Sequence, residues 1–463
     1  MFHDPDFTPF TPRETPSYAA ALSNYMENWP PSAYREGFWS LPGLWRLVPK
    51  TVYLTDPALI EEMLVTRAET FTRDVITRRS LGSVDNRTSL FFAEDADWKW
   101  QRRALSSAFR HENLLALVPT FAECADATAK AWRAATPGAP VEIMTAMSQT
   151  TFAVIERAVL GGTGALDHDK YLAALAPVLK ATGWRRMIAL FNLPAWTPFF
   201  GARRARAASA RIFAEIDRII EARRAEGETR RDLLGLLLSA RDPESGRVMT
   251  DAELSGNLNG LLIAGHETSA VALGWSLWLL AKDQASQERL RREVVEVAGS
   301  DEIGPQTVEK LVFTRQVLQE AMRLFPPFGA LGRQPKRDTT LGPHAVTKRE
   351  PIFVAIWALH RHEKLWDDPN GFDPDRFSPE RSKGRHRYAY LPFGAGPRIC
   401  IGMTFAMLEM MTILATLARE FRFRTVPGHR LELDPSFATR ARGGLPLLIE
   451  PAADSEALSI AAE

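Results

Sequence analysis

A long apolar segment between Thr250 and Lys282 constrains the fold of this 463-residue chain more than any other feature. Thr250 and Glu253 form a capping-box pattern, in which each side chain satisfies a backbone N–H at the helix start. A helix from there to about Lys282 would be roughly 45 Å long at 1.5 Å per residue. Because apolar side chains lie on nearly all of its sides, this helix must be buried inside a large helical domain.

The centre of this predicted helix carries residues that packing alone does not require. Glu267 is a charge that costs free energy to bury, and Gly265 destabilises a helix by about 1 kcal/mol relative to alanine. Ala264, Gly265 and Thr268 are small and share one face, which would form a shallow groove for a flat ligand and a diatomic molecule. The residues leave two alternatives open. Thr268 could donate to the carbonyl four residues earlier, and Glu267 could reach the surface in a helical salt bridge.

A glycine-rich loop, Phe393–Gly402, contains Cys400, one of only two cysteines in the chain. Its glycines and proline remove side-chain bulk, so the backbone can approach a flat object closely. Arg398 and a helix predicted to start near Met403 favour the thiolate form of this cysteine. Such a thiolate is a ligand for a large, planar, electron-poor partner. The alternative is a cysteine that is merely buried.

This loop resembles the cysteine-ligand signature of the cytochrome P-450 family of haem-thiolate monooxygenases, in its soluble bacterial type. The positions that match the signature are Phe393, Gly394, Gly396, Arg398, Cys400 and Gly402. The resemblance implies that Cys400 is the axial ligand of the iron in haem b. It also implies a mostly α-helical fold with a minor β region, in which haem lies between the long helix and the cysteine loop.

Three further motifs follow the order expected of that family. The segment Ala264–Thr268 matches the oxygen-activation motif, which implies that Thr268 hydrogen-bonds dioxygen and that Glu267 helps to relay protons. By the same resemblance Ala264 and Gly265 would contact the haem. Glu320 and Arg323 match a Glu-X-X-Arg element, for which the resemblance implies a buried structural network with Arg376.

The third motif concerns the two haem propionates, which need cationic or N–H donors. Trp98 and Arg102 match a helical Trp-X-X-X-Arg pattern that would face a propionate. The resemblance assigns the same role to Arg333 and Arg398. An ordinary solvated surface charge is the alternative for each of these arginines.

Composition limits the classes of protein that the chain could belong to. A net charge of +1 argues against a general nucleic-acid binder. Two cysteines cannot form a disulfide framework, which fits a reducing compartment. With no signal-peptide pattern and no apolar run of 18 residues, we expect a cytoplasmic monomer without a transmembrane anchor. We expect one catalytic domain over residues 1–451, with residues 1–45 wrapping its body and residues 452–463 disordered.

The resemblance implies a monooxygenase that hydroxylates or oxidatively dealkylates an apolar small molecule, such as a fatty acid, terpenoid, steroid or aromatic compound. Dioxygen and two electrons would be consumed, the electrons coming from NAD(P)H through a separate ferredoxin or flavodoxin and its reductase, since no fused reductase motif is found. Cations near the cysteine face could steer that partner: Arg102, Arg103, Arg110, Arg381, Lys383, Arg385 and Arg387. Ordinary solubilising charge is the alternative for the last four.

Aromatic residues dominate the segments that line the substrate pocket in this family. The pocket candidates are Phe91, Phe92, Trp184, Phe328 and Phe437. The stretch 184–200 suits a hydrophobic entrance better than a membrane surface. A peroxide-driven peroxygenase or a non-oxidative haem-thiolate enzyme is the first alternative function. A non-catalytic haem carrier or sensor is the alternative from another class.

Overall fold

The computed structural model of the chain describes residues 29–43, 48–82, 89–162, 166–227, 232–434 and 438–452. The predicted wrapping segment before residue 29, the predicted disordered tail from residue 453 and the pocket candidate Phe437 lie outside the described residues. Trp29, at the start of the first described range, is completely buried in the main hydrophobic core.

Within these ranges the chain is mostly α-helical, as the sequence predicts. The α-helices are α1 (Pro57–Glu61), α2 (Val75–Leu81), α3 (Asp95–Ser106), α4 (His111–Leu115), α5 (Val118–Arg133), α6 (Ile143–Leu160), α7 (His168–Leu190), α8 (Ala202–Glu226), α9 (Leu233–Ser239), α10 (Asp251–Lys282), α11 (Gln284–Ala298), α12 (Pro305–Val308), α13 (Val312–Leu324), α14 (Ile356–Leu359), α15 (Pro379–Ser382) and α16 (Met403–Glu420). A π-helical turn, Glu62–Thr66, continues α1.

Short strands form the minor β region. They are β1 (Phe38–Leu41), β2 (Thr51–Leu54), β3 (Phe71–Thr72), β4 (Val141–Glu142), β5 (Leu331–Pro335), β6 (Thr339–Leu341), β7 (His344–Val346), β8 (Ile352–Val354), β9 (Phe421–Thr425), β10 (Glu432–Asp434), β11 (Arg440–Arg442) and β12 (Pro446–Pro451). One sheet has the order β1-β2-β8-β5-β3, with β2 and β8 parallel and Val52 opposite Ile352. A second has the order β4-β12-β9, while β6 pairs with β7 and β10 with β11.

Helix α10 is the central element of the fold. Its predicted capping box is present: Thr250 Oγ1 accepts from the Glu253 N–H at 3.3 Å, and the Thr250 N–H donates to Glu253 Oε2 at 2.9 Å. The helix packs against α6, α8, α13, α16 and β9. Because it has neighbours on so many sides, most of its residues are buried, which explains its nearly continuous apolar surface.

Gly265 lies where α10 packs closely against α6. A Cβ atom added at this position would lie only 2.5 Å from Cδ1 of Ile155, a residue of α6. The glycine therefore lets α6 pack closely against α10. The predicted groove and haem contact at Gly265 stay predictions.

Two connections complete the β region. Strand β8 ends at Val354 and α14 follows, where the Trp357 N–H donates to Gly329 O at 3.1 Å. Gly443 and Gly444 join two strands that do not pair with each other. They carry the chain from β11 to β12 with φ angles of 80° and 94°, and they bring Leu445 N within 2.7 Å of Glu142 Oε1 beside β4.

Candidate active site

The cysteine loop is a closed turn that docks on the segment after α1. Gly394 and Gly396 have φ angles of 72° and 71°, a region that strongly favours glycine. The N–H of Cys400 donates to Phe393 O at 3.0 Å, which closes the loop. A side chain at position 396 would overlap the carbonyl oxygen of Leu64, so this glycine is required by close approach. Helix α16 starts at Met403, three residues after the cysteine, as predicted.

The two cysteines have opposite environments. Cys124 is buried, whereas Cys400 is exposed. Desolvation by nearby protein atoms raises the pKa of the Cys400 thiol, although the Gly402 N–H and Arg102 lower it. The prediction that the loop alone favours a thiolate is therefore wrong, because desolvation outweighs the local positive charge. A metal ion bound at this sulfur would remove the proton, as it does from any coordinating thiol.

Arg398 contacts residues before and within α3 rather than the sulfur of Cys400. Its guanidinium donates to Ala93 O at 3.1 Å and to Glu94 Oε2 at 2.7 Å, and it lies 4.6 Å from the ring centroid of Trp98. Arg102, one turn further along α3, is half-buried and interacts with Cys400 through its charge. The predicted residues Trp98, Arg102 and Arg398 are thus brought together beside the cysteine.

Two buried arginines extend this positive region. Burial, followed by repulsion from Arg398, lowers the pKa of Arg333 to about 10. Burial, followed by repulsion from Arg333 and Arg398, lowers the pKa of Arg73 to about 9. The nearby carboxyl groups are those of Asp74 and Glu94. Sequence reasoning missed Arg73, because its position after the two-residue strand β3 carries no local signal.

The arginine cluster fits a planar ligand with peripheral carboxylates. Nη1 of Arg73 is buried and has no hydrogen-bond partner in the described part of the chain. Leaving a buried cationic donor unpaired costs free energy, so this geometry is explained by an anion that belongs at the site. Two propionates beside an iron ligand at Cys400 supply such anions, and the residues present therefore fit haem.

One face of the otherwise buried α10 is accessible. Ala264 is exposed, while Leu262 and His266 on either side of it are completely buried. Thr268, one turn along, is half-buried, and its hydroxyl donates to Ala264 O at 2.7 Å. This is the bond that the sequence left open as the alternative for Thr268. Its proton is already engaged, so the hydroxyl offers lone pairs to a neighbour.

Glu267 is paired across the fold. Arg440 of β11 donates to it twice, with Nε–Oε1 at 2.6 Å and Nη2–Oε2 at 2.8 Å. The Glu267 side chain is only 12% exposed, whereas that of Arg440 is 40% exposed. The pair therefore connects the interior of α10 to solvent. Sequence reasoning considered a salt bridge within the helix and missed Arg440.

The predicted network on α13 is present in full. Glu320 accepts two bonds of 2.7 Å from Arg323 and one of 3.2 Å from Arg376, and all three side chains are buried. Arg323 also donates to the carbonyls of His360, Pro369 and Gly371 at 2.7–2.9 Å. Each buried charge is therefore paired, as a buried ionic group must be.

Comparison with known proteins decides the family. The family model described as Cytochrome P-450 matches residues 31–444, which is most of the chain. This chain belongs to the cytochrome P-450 family. It is therefore an oxidoreductase of the monooxygenase type, and family membership implies haem as its cofactor. The predicted family and fold class are confirmed.

Relatives of this P-450 include two proteins of Streptomyces melanosporofaciens. Cyclooctatin synthase is 32% identical over 88% of both chains. Cyclooctat-9-en-7-ol 5-monooxygenase is 30% identical over 88% of this chain and 87% of its own. A solved structure, the retinoic-acid-bound cyanobacterial CYP120A1, superposes with a TM-score of 0.76 at 27% identity, covering 87% of this chain and 90% of that one.

The pocket candidates of this P-450 lie in three different parts of the fold. Phe91 and Phe92 pack edge to face with centroids 4.9 Å apart, and Leu90 N donates to Asn257 Oδ1 of α10 at 2.8 Å. This bond holds their loop beside α10. Phe328 is 42% exposed after α13. Trp184 lines an open surface cleft on α7, and its place in the substrate pocket stays a prediction.

Several cations predicted to steer a redox partner already form an ion pair or a ring contact within this P-450. Arg103 forms two bonds to Asp242, at 2.7 and 2.9 Å. Arg381 bonds to Asp373 at 2.7 Å, and Arg385 lies over Trp366 at 4.4 Å. The steering role of these three stays a prediction. None of the helices in the described ranges is both long and apolar enough to cross a membrane.

Proposed function

We propose that this P-450 hydroxylates an unsaturated, mostly hydrocarbon molecule of isoprenoid type. The observation that carries the proposal is the accessible face of α10 at Ala264 and Thr268, in a helix that is otherwise buried. Exposed or half-exposed rings at Phe91, Phe92 and Phe328 would supply apolar walls, which suit a substrate with few polar groups. The relatives support this class, since one is named for cyclooctat-9-en-7-ol and one structure holds retinoic acid.

The cofactor site that we propose uses Cys400 as the iron ligand and a cluster of cations for the propionates. Arg73, Arg333 and Arg398 would pair with the propionates, with Trp98 and Arg102 completing that side. Bound haem supplies reductive activation of dioxygen and insertion of one oxygen atom into a C–H bond. The overall reaction is RH + O2 + 2e⁻ + 2H⁺ → ROH + H2O.

The residues of α10 would deliver the two protons that the overall reaction consumes. Thr268 Oγ1 donates to Ala264 O, so its lone pairs are left to accept a hydrogen bond from a protonated ligand or water at the accessible face. Glu267 is one residue away and is bonded to Arg440, which reaches solvent. A carboxylate that swings between Arg440 and Thr268 would carry a proton inward, as general acid catalysis requires.

Electrons would come from NAD(P)H through a separate ferredoxin or flavodoxin. Of the predicted steering cations, Arg110, Lys383 and Arg387 are exposed and form no ion pair in the described part of the chain. They would attract an acidic protein. Turnover with each carrier and its reductase, at low and high salt, tests this assignment. Product formation that depends on the carrier and falls with salt supports it, and salt-independent turnover contradicts a steering role for the three cations.

A spectral titration of the purified ferric protein tests the substrate class. Retinoic acid, cyclic terpene alcohols, fatty acids and steroids are added separately, and the low-spin to high-spin change of haem is measured. We expect saturation with the isoprenoid compounds at concentrations at least tenfold lower than with straight-chain fatty acids of similar size. Preference for fatty acids or steroids would overturn the substrate class while leaving the monooxygenase assignment intact.

Peroxide-driven or non-oxidative chemistry is the competing function. The paired Glu267 and the hydroxyl of Thr268 favour oxygen-dependent turnover, because a peroxygenase does not need a proton relay of this kind. Equal amounts of enzyme and substrate are supplied either with the electron chain and dioxygen or with hydrogen peroxide. Faster product formation with peroxide would favour the competing function. Substrate binding without any product would indicate a carrier.

A further inference from the structure

The imidazole of His266, beside Glu267 in α10, is completely buried. Its ring packs edge to face against Phe152 of α6 and Tyr171 of α7, with centroids 5.8 and 5.9 Å away. Its backbone is also tied to α6, because Thr151 Oγ1 donates to the His266 carbonyl at 2.8 Å. The ring is therefore held between two helices and away from solvent.

The hydrogen bonding of this ring determines which nitrogen carries the proton. Nδ1 of His266 lies 2.9 Å from Leu262 O, and a carbonyl oxygen can only accept, so Nδ1 is the donor. Burial lowers the pKa of His266, although the bond to Leu262 O and the charge of Glu267 raise it, so the ring is neutral at neutral pH. A neutral imidazole with its proton on Nδ1 has a lone pair on Nε2. At Nε2 the ring is thus a base.

This base faces the carboxylate of Glu267. Nε2 of His266 is buried without a hydrogen-bond partner in the described part of the chain, and Glu267 Oε2 lies 3.9 Å from it. The same Oε2 accepts a bond of 2.8 Å from Arg440 Nη2. One carboxylate oxygen therefore has a cation on one side and an unpartnered base on the other. A buried polar atom left without a partner costs free energy, so the position of Nε2 needs an explanation.

The two neighbours suit different protonation states of Glu267. Arg440 donates an N–H group to each oxygen, which is the bonding that an ionised carboxylate accepts. A protonated carboxyl group has an O–H to donate, and a guanidinium has no acceptor for it. Nε2 of His266 is such an acceptor. A small rotation of the carboxyl group towards the ring would shorten the separation of 3.9 Å to a hydrogen bond.

We infer that His266 is the inner proton partner of Glu267, so that the two side chains hold one proton between Oε2 and Nε2 until the reaction takes it. The proton enters from solvent at the side of Arg440, which is 40% exposed. As the new O–H bond of Glu267 forms, the bonds to Arg440 are released and the O–H donates to Nε2. When the proton leaves for the α10 face, the carboxylate returns to Arg440. The inference rests on the proposed proton relay and adds its buried half, in which His266 is a positioning residue.

Three other polar groups act on the ring or lie against it. Repulsion from His168 of α7 and from Arg440 disfavours a cation on His266, which keeps the shared proton closer to Glu267. Tyr171 is buried, and its hydroxyl has no hydrogen-bond partner in the described ranges. Burial raises the pKa of Tyr171, so this hydroxyl stays protonated. It is therefore the competing donor for Nε2.

Asparagine and glutamine at position 266 separate the roles of the two ring nitrogens. The amide nitrogen of asparagine can take the place of Nδ1 and keep the bond to Leu262 O, whereas the amide oxygen of glutamine can take the place of Nε2 and keep the acceptor. Turnover is measured with excess electron carrier and the tightest-binding compound of the spectral titration. We expect His266→Asn to slow turnover at least about tenfold with unchanged substrate affinity, and His266→Gln to stay within about threefold of the wild type. The reverse order would show that only the Leu262 bond matters, and the inference would fail.

Tyr171→Phe is the matched control, because it removes the competing hydroxyl and keeps the ring that packs on His266. Its turnover should equal that of the wild type. Slowing as strong as that of His266→Asn would make Tyr171 the partner of Nε2 and overturn the inference. All variants are checked for an unchanged carbon monoxide spectrum.

Nitrogen NMR of the reduced carbon monoxide complex, labelled with ¹⁵N-histidine, observes the ring without turnover. The signals of His266 are those missing from His266→Gln. We expect a proton on Nδ1 and none on Nε2. Glu267→Gln, whose amide N–H can donate to the lone pair, should shift the Nε2 signal. A proton on Nε2 in the wild type, or an Nε2 signal that ignores Glu267→Gln, would overturn the inference.

The variants also separate this inference from the proposed function. If Glu267→Gln turns over like the wild type, the proposed relay fails, and the role of His266 fails with it. If Glu267→Gln is slow while His266→Asn is as fast as the wild type, the relay stands and only the inference fails. A slow His266→Asn that causes no further loss when combined with Glu267→Gln supports it, because the two residues then act as a unit.

Discussion

Arg440 of β11 donates a hydrogen bond to each carboxylate oxygen of Glu267, a residue that lies 173 positions earlier in the chain. The contact joins the last part of the fold to the centre of α10. It also places the only carboxylate of the Ala264–Thr268 motif in a two-point bond whose outer end reaches water.

Arg440→Gln should slow turnover at least about tenfold, because it removes the group that holds Glu267 between solvent and the α10 face. Substrate binding, measured by the spin-state titration, should stay unchanged. Arg442→Gln is the control, since Arg442 lies on the same strand and only approaches Glu432 at 3.9 Å. A double-mutant cycle sharpens the test. If Arg440→Gln slows Glu267→Gln as much as it slows the wild type, the two residues do not act as a unit.

Thr268→Ala should divert electrons from product to hydrogen peroxide. Without the hydroxyl bonded to Ala264 O, the accessible face of α10 has no side-chain acceptor at that position to order a proton donor. We expect the peroxide fraction to rise several-fold, measured against substrate-dependent NADH consumption. Thr268→Ser keeps the hydroxyl and should remain coupled. Equal coupling in the alanine and serine variants would contradict this role.

Cys400→Ala should abolish the red-shifted carbon monoxide complex of the reduced protein, since the sulfur ligand produces that shift. Cys124→Ala provides a matched control. Cys124 is buried in the main core and is the other cysteine of the chain, so its variant should keep the spectrum. A red-shifted complex that survives in Cys400→Ala would show that another residue binds the iron.

Glu320→Gln should destabilise the fold by about 3–5 kcal/mol, because Arg323 and Arg376 would remain buried without their carboxylate. Denaturant unfolding measures the change. Glu215→Gln on α8 removes a carboxylate from an exposed i,i+3 pair with Arg218 and should have no measurable effect. Similar losses in the two variants would mean that burial does not set the strength of the α13 network.

Glu409→Gln should stabilise the protein at pH 8 and leave it nearly unchanged at pH 5. Glu409 of α16 is completely buried, and burial raises its pKa from 4.5 to about 8, although Ser269 lowers it. The wild-type acid is neutral in the folded protein below its ordinary pKa, so stability is lost as the pH rises from there through about 8. Glutamine cannot ionise, and the gain at pH 8 should be about 1–3 kcal/mol.

Urea unfolding at the two pH values measures the Glu409 effect. The exposed Glu221 of α8 gives a control. The stability of Glu221→Gln should change between pH 5 and pH 8 by the same amount as that of the wild type. A Glu409→Gln gain that is larger at pH 5 than at pH 8 would have the wrong sign for a raised pKa.

Features that depend on neighbouring residues could be predicted from the sequence. The capping box at Thr250 and Glu253 and the pairing of Glu320 with Arg323 follow from spacings of three residues, which bring side chains together in any helix. The glycine-rich loop and the start of α16 follow from local conformational preference in the same way.

Features that depend on tertiary contacts could not be predicted. Arg440 reaches Glu267 only because β11 returns to α10, and no spacing in the sequence records that return. Arg398 was expected to act on the cysteine two residues away, yet it bonds to Glu94, which is 304 residues distant. The thiolate prediction failed for a related reason: local charges are visible in the sequence, whereas the desolvation of Cys400 is a property of the assembled protein.

The crowding of Arg73, Arg333 and Arg398 also bears on how the protein is made. Three guanidinium groups within reach of one another repel, and two of them are already buried. A dianionic cofactor relieves that repulsion and stabilises only the folded chain, so mass action links folding to cofactor supply. Cells that produce this protein faster than they synthesise porphyrin should therefore hold a less stable chain, and feeding a porphyrin precursor should raise the folded yield.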